Sequence, residues 1–148
     1  MADDLKEVLQ NIIRDIWNEP DLNKVMDAAD TYVHEDVIDH HPVAESRGID
    51  GTKRLFTMYH TAFPDMQFEA EDLVEEGDRV ALRWRARGTN TGEFMGMPPT
   101  GRPVDVTGID IYRIVDGKVK EHWPQLDMIT LLRQLGVMPA PNQSGRPA

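Results

Sequence analysis

The chain has 148 residues, 40% of them apolar and 28% charged, which suits one globular domain because a single core usually takes ~100–200 residues. A formal net charge of −10 argues against general nucleic-acid binding and against an anionic membrane surface, since phosphate affinity comes from Lys and Arg. Cysteine is absent, which excludes disulfides, thiolate metal sites and a cysteine nucleophile. No apolar run approaches the ~20 residues of a membrane span. The opening MADDLKEVLQ lacks the basic and apolar regions of a secretory signal, so a cytoplasmic location is expected.

Leu5, Val8, Leu9, Ile12, Ile13 and Ile16 recur at helical spacing, with Asp3 or Asp4 as the cap. Asn18, Glu19 and Pro20 break that helix, and Asp21 can cap a second one through Val25, Met26 and Ala29. Tyr32 to His41 reads as a short strand ended by Pro42. Asp50 is the expected cap of a third helix carrying Leu55, Met58, Tyr59, Ala62 and Phe63, stopped by Pro64.

Two hairpins follow. Met66 to Val74 and Val80 to Ala86 alternate apolar and polar residues about Gly77. Setting Val74 opposite Val80 pairs Glu75, Glu71 and Glu69 with Arg79, Arg83 and Arg85 on one face. Val104 to Val115 and Lys118 to Gln125 flank Asp116-Gly117, a strong type I′ turn signal. That register sets Tyr112 opposite Glu121 and Asp110 opposite Trp123. The intervening TNTGEFMGMPPTGR is a loop, and its Phe94 and Met97 suit a lid or rim over a pocket, a dimer contact, or packing against the domain. A last helix buries Leu131, Leu132 and Leu135 before Gly136. Residues 1–138 therefore form one α+β domain, helices over a strongly curved antiparallel sheet that enclose a pocket, and 139–148 is expected to be a disordered tail.

Four residues could carry proton chemistry. His40 and His41 are adjacent, so an extended strand points them to opposite faces, and one of them is structural or exposed unless the chain bends at Pro42. Asp110 interrupts an apolar strand, either as a pocket acid or base with a raised pKa or as an outer-face carboxylate. Asp127 reads as the cap of the last helix, yet the parity of Trp123, Gln125 and Asp127 continues the face of Asp110. Trp17, Tyr59, Phe63, Trp84 and Tyr112 suit core or pocket wall. GMPPTGR is no phosphate loop, and His34, His40 and His41 do not form a converging metal set.

The strings GIDGTKRLFTMYHTAFPDMQF, EEGDRVALRWRARGTNTGEFMGMPPTGRPVDVTGIDIYRIVDGKVKEHWPQLD and LLRQLG resemble the SnoaL-like polyketide cyclase family of the nuclear transport factor two superfold. The resemblance covers nearly all of residues 3–137, and AFPD, GxxxGxPPTGR and VDGKVKEHWPQLD are its most specific pieces. It implies a cone-shaped α+β barrel around a hydrophobic cavity, dimeric through the outer sheet surface. It also implies an intramolecular aldol ring closure by an Asp acid/base, without metal or organic cofactor. Asp127 matches the motif end, with His40, His41 or Asp110 as helper. Trp17, Tyr59, Phe63, Trp84, Phe94, Met97, Tyr112 and Trp123 would wall a site for a small hydrophobic or aromatic ligand. The same superfold hosts isomerases, epoxide hydrolases and non-catalytic binders. An isomerase would want a Tyr beside Asp110. An epoxide hydrolase would want an Asp-Arg-Asp set, which the outward Arg face disfavours.

Overall fold

A computed structural model describes residues 4–139; the expected C-terminal tail, apart from Pro139, lies outside the described residues. Helix α1 (Leu5–Ile12) opens on Asp4, whose carboxylate accepts from the N–H of Lys6 and Glu7. Its stripe of Leu5, Leu9 and Ile12 is buried. The helix then widens into a π-helical turn (Ile13–Trp17) closed by the Asn18 N–H on the Ile13 carbonyl at 2.9 Å. Asn18 next clasps the Phe68 backbone from both sides, at 2.8 and 2.7 Å, and so fixes Trp17 against the sheet. Helix α2 (Leu22–Tyr32) is capped by Asp21 as expected.

Strand β1 (Val33–Asp39) ends one residue before the paired histidines, and β2 (Ser46–Arg47) is a two-residue return. Helix α3 (Ile49–Ala62) has Gly48, with φ 87°, at its cap position, and Asp50 lies in the first turn instead of capping it. The long strands β3 (Gln67–Glu76), β4 (Arg79–Thr89), β5 (Pro103–Val115) and β6 (Lys118–Trp123) complete a six-stranded sheet ordered β2-β1-β6-β5-β4-β3. It is curved and unclosed, and it is mixed where antiparallel pairing was expected throughout, because β1 runs parallel to β6. Helix α4 (Met128–Gln134) lies against β5, tied by two hydrogen bonds between Gln134 and the Asp105 backbone. Among the described residues no helix is long and apolar enough to cross a membrane.

Both hairpins have the expected turns, and both contain a bulge that sequence parity did not anticipate. In the first, Glu76 faces Arg79 across a two-residue turn, one position off the expected register; a bulge at Glu71 then restores it, so that Glu69 faces Arg85. In the second, Asp116 and Gly117 adopt φ 54° and 75°, as a type I′ turn requires, and Val115 faces Lys118. A bulge at Lys120 then moves the pairing by one, so Tyr112 faces His122 and Ile111 faces Trp123. A one-residue shift exchanges the faces of a strand. Beyond the bulge, His122 and Pro124 turn inward while Glu121 and Trp123 turn outward.

The loop after β4 packs against the domain. Asn90 is buried and joins the Ala62 carbonyl, the Gly92 carbonyl and Thr100 through its side chain. Phe94, 1% exposed, wedges between Tyr59 and Phe63 with ring centroids 5.9 and 5.5 Å away. A Cβ on Gly92 would collide with the Thr61 carbonyl, so this loop can seat on α3 only with glycine there.

Candidate active site

Between α3 and the inner sheet face lies a cavity that opens to solvent at its mouth. Its wall is almost entirely apolar and rich in rings: Trp17, Phe56, Tyr59, Phe63, Phe68 and Trp84. Trp17 stacks on Phe68 and Phe68 on Trp84, with centroids 5.5 and 4.9 Å apart, making a continuous flat panel. Of the expected wall residues, Trp17, Tyr59, Phe63 and Trp84 line this space. Phe94 and Met97 instead pack against the hydrophobic core, Phe94 backing Tyr59 and Phe63. Tyr112 is fully covered and borders a smaller cavity beside His122.

Trp123 faces the opposite way. It stacks on His40 at 5.3 Å, and the Arg79 guanidinium lies 5.0 Å from its ring. His40 is held on that outer face by Glu121 at 2.6 Å and Glu45 at 2.8 Å. The Glu121 hydrogen bond raises its pKa in spite of some burial. Asp127 is exposed and caps α4, accepting from the Thr130 N–H at 3.1 Å and the Thr130 hydroxyl at 2.6 Å. Those two hydrogen bonds lower its pKa, and it does not line the cavity. The bulge at Lys120 is the physical reason: it ends the parity that would have carried Trp123 and Asp127 inward with Asp110.

Asp110 points inward from the middle of β5 and is 5% exposed. Its Oδ1 accepts from the Trp84 indole N–H at 2.9 Å and the Gln125 backbone N–H at 3.1 Å. Its Oδ2 accepts from His122 Nε2 at 2.9 Å and, at the longer distance of 3.3 Å, from the Tyr112 hydroxyl. His122 lies flat on the Tyr112 ring and reaches Asp39 Oδ2 through Nδ1 at 3.2 Å. The imidazole thus bridges two buried carboxylates, Asp39 from β1 and Asp110 from β5. Burial lowers the His122 pKa, but the hydrogen bonds and charges of Asp110 and Asp39 outweigh it and raise the pKa to about 9. At neutral pH His122 is an imidazolium facing a greasy cavity.

His41 enters the cavity opposite this group. Its Nδ1 accepts from the Val43 N–H at 3.2 Å, so the ring proton sits on Nε2 and is donated to the Tyr59 oxygen at 2.8 Å. Burial lowers the His41 pKa and keeps the ring neutral, and burial likewise raises that of Tyr59. Tyr59 therefore receives one hydrogen bond and has its own O–H available to a ligand. The wall brings together His41 and Asp110 from the sequence candidates and adds Asp39 and His122. His40 and Asp127 stay outside. A signal for His122 was present: Lys120 and Glu121 are consecutive charges in a strand with one buried face, a pattern that a bulge resolves. Among the described residues no arginine stands between the two carboxylates, as an Asp-Arg-Asp set would require. Tyr112 does reach Asp110, at 3.3 Å, which is the contact an isomerase would want.

A family model described as SnoaL-like polyketide cyclase matches residues 7–135. Among curated relatives, the aklanonic acid methyl ester cyclase DauD of Streptomyces sp. (strain C5) is 31% identical over 133 residues, 85% of this chain and 80% of DauD. The nogalonic acid methyl ester cyclase of Streptomyces nogalater is 32% identical over 126 residues, 80% of this chain and 90% of that enzyme. The crystal structure of AclR, a candidate hydroxylase from Streptomyces galilaeus, superposes with a TM-score of 0.78 at 34% identity, covering 94% of this chain and 85% of AclR. With the family model spanning nearly the whole described chain and the curved sheet, covering helices and apolar cavity all in place, this protein belongs to the SnoaL-like polyketide cyclase family.

Proposed function

We propose that this protein is a cofactor-independent ring-closing enzyme, an intramolecular aldol cyclase acting on an aromatic polyketide methyl ester. The observation that carries the reading is the Asp39–His122–Asp110 chain: a cation held between two carboxylates on the wall of an otherwise apolar cavity. Relatives that share about a third of their sequence with it close the rings of aklanonic and nogalonic acid methyl esters, as their names state. Flat aromatic walls suit such substrates.

The reaction needs a base for a proton α to a carbonyl and donors for the oxygen that becomes negative. Asp110 is the base. It lines the cavity in which the substrate C–H would lie. The resulting carbanion attacks a second carbonyl of the same molecule: the C–C bond forms as the C=O π pair moves to oxygen. The alkoxide takes back the proton that Asp110 removed, so proton and charge balance, while the His122 imidazolium keeps its two N–H groups on Asp110 and Asp39 and steadies the carboxylate. Tyr59, oriented by neutral His41, donates to the enolate oxygen. Folding the chain in a dry cavity supplies the proximity.

The test is turnover of aklanonic acid methyl ester and nogalonic acid methyl ester by the wild type and by Asp110→Asn and His122→Gln, with circular dichroism to verify folding. Removing an acid/base partner should lower kcat by about 10²–10⁴-fold while substrate still binds. Full kcat in folded variants would refute the assignment, and a wild type inert on both esters would refute the cyclase reading. The expected homodimer belongs to the same proposal. Ile109 and Ile111 are 54% and 39% exposed on the outer sheet face, an apolar centre for a twofold contact. Light scattering that gives a monomer mass would remove it.

A further inference from the structure

Beside His122 is a second and smaller space with room for one water molecule, which shares Trp17, Asp39, Phe56 and His122 with the wall of the main cavity. Its wall is apolar apart from Asp39, Thr52, Tyr112 and His122. Two of these have an oxygen that is buried and without a hydrogen-bond partner among the described residues: Asp39 Oδ1 and Thr52 Oγ1. Each residue is 4% exposed, so bulk solvent does not reach them. Buried polar oxygens are rarely left unpaired, because their desolvation is then uncompensated. Thr52 also differs from its neighbour on α3, Thr57, whose hydroxyl donates back to the Lys53 carbonyl at 2.9 Å. The Thr52 hydroxyl makes no such bond among the described residues, and Thr52 lines the same small space as Asp39.

We propose that this smaller cavity is a binding site for a single water molecule, which accepts from the Thr52 hydroxyl and donates to Asp39 Oδ1, making Thr52 a positioning residue for His122. One molecule with two donors and two acceptors satisfies both orphan oxygens, and an apolar ligand satisfies neither. The titratable groups whose charges reach Asp39 are His122, which it contacts, and His41, Tyr59 and Tyr112; Asp110 faces it across the His122 ring. A donor on Oδ1 stabilises the negative charge that Asp39 presents to Nδ1 of His122. Thr52 would thereby support the imidazolium without touching substrate.

The experiment pairs crystal structures that resolve ordered water with an NMR titration of the His122 ring in the wild type, Thr52→Val and Thr52→Ser. Valine keeps the shape and removes the hydroxyl, whereas serine keeps the hydroxyl. The expected result is one water peak within ~2.6–3.2 Å of Asp39 Oδ1 in the wild type and Thr52→Ser, lost in Thr52→Val. The His122 midpoint should fall by ~1 pH unit in Thr52→Val alone. A dry smaller cavity in the wild type overturns the proposal whether or not the variants fold, and so does a Thr52→Val protein whose His122 titrates as in the wild type. Neither readout depends on turnover, so failure here is separate from failure of the cyclase reading.

Discussion

Gly108 offers the sharpest test of how the site is built. It lies on the inner face of β5 directly opposite Trp84, whose indole covers it while donating to Asp110. A Cβ at this position would stand 2.6 Å from Trp84 Cε2 and 2.9 Å from the Gln125 carbonyl. Carbon atoms settle at roughly 3.5–4.0 Å, so the indole must retreat by about 1 Å. That stretches the 2.9 Å bond to Asp110 beyond hydrogen-bonding range. Overpacking costs about 1–3 kcal/mol, and an Asp110 oxygen short of its donor adds a similar amount. The usual gain from replacing Gly by Ala, about 0.4–1 kcal/mol, offsets only part of this. Gly108→Ala should therefore lose about 2–4 kcal/mol in urea unfolding, and its turnover should fall because Asp110 is no longer fixed. In a Trp84→Phe background the same change should cost much less, since the smaller ring can yield, and the double-mutant cycle isolates that coupling. Equal losses in both backgrounds, or a Gly108→Ala protein more stable than the wild type, would refute the reasoning.

Asp127→Ala should destabilise the protein by about 1 kcal/mol, the usual worth of a helix cap, and leave turnover within about twofold; a large kcat loss measured on the folded variant would restore Asp127 to the chemistry. Stability should also depend on pH through His122. Its pKa is raised from 6.5 to about 9, so its contribution, on the order of 3 kcal/mol, is fully present below about pH 6.5 and is lost as pH rises through about 9. Urea midpoints at pH 6, 8 and 10 should decline in the wild type and flatten in His122→Gln; a midpoint that rises over this range would contradict the ion chain.

The helices and hairpins were legible because each rests on a local signal: apolar residues at helical spacing before an Asp cap, or alternation around a Gly turn. Phe94, Met95 and Met97 in a Gly- and Pro-rich loop signalled a need for cover, but a lid, a dimer contact and packing against the domain stayed open until Phe94 was seen seated between Tyr59 and Phe63. The site was half legible. Asp110 was visible because a carboxylate in an apolar strand needs a reason, and His41 because it flanks the strand end. His122 was masked by the bulge at Lys120, which only the consecutive charges Lys120 and Glu121 mark, since no Gly or Pro announces an extra residue. Counting two by two through that point put Glu121, Trp123 and Asp127 on the inner face. Asp39 carries no local oddity at all, since an Asp at a strand end is ordinary until the parallel β1–β6 pairing sets it beside His122.

The most direct test of the central claim is the titration of the His122 imidazole in the intact protein by two-dimensional NMR, assigned with His122→Gln. A cation held between Asp39 and Asp110 predicts a midpoint near 9, well above an ordinary histidine. A His122 ring already neutral at pH 7 would contradict it.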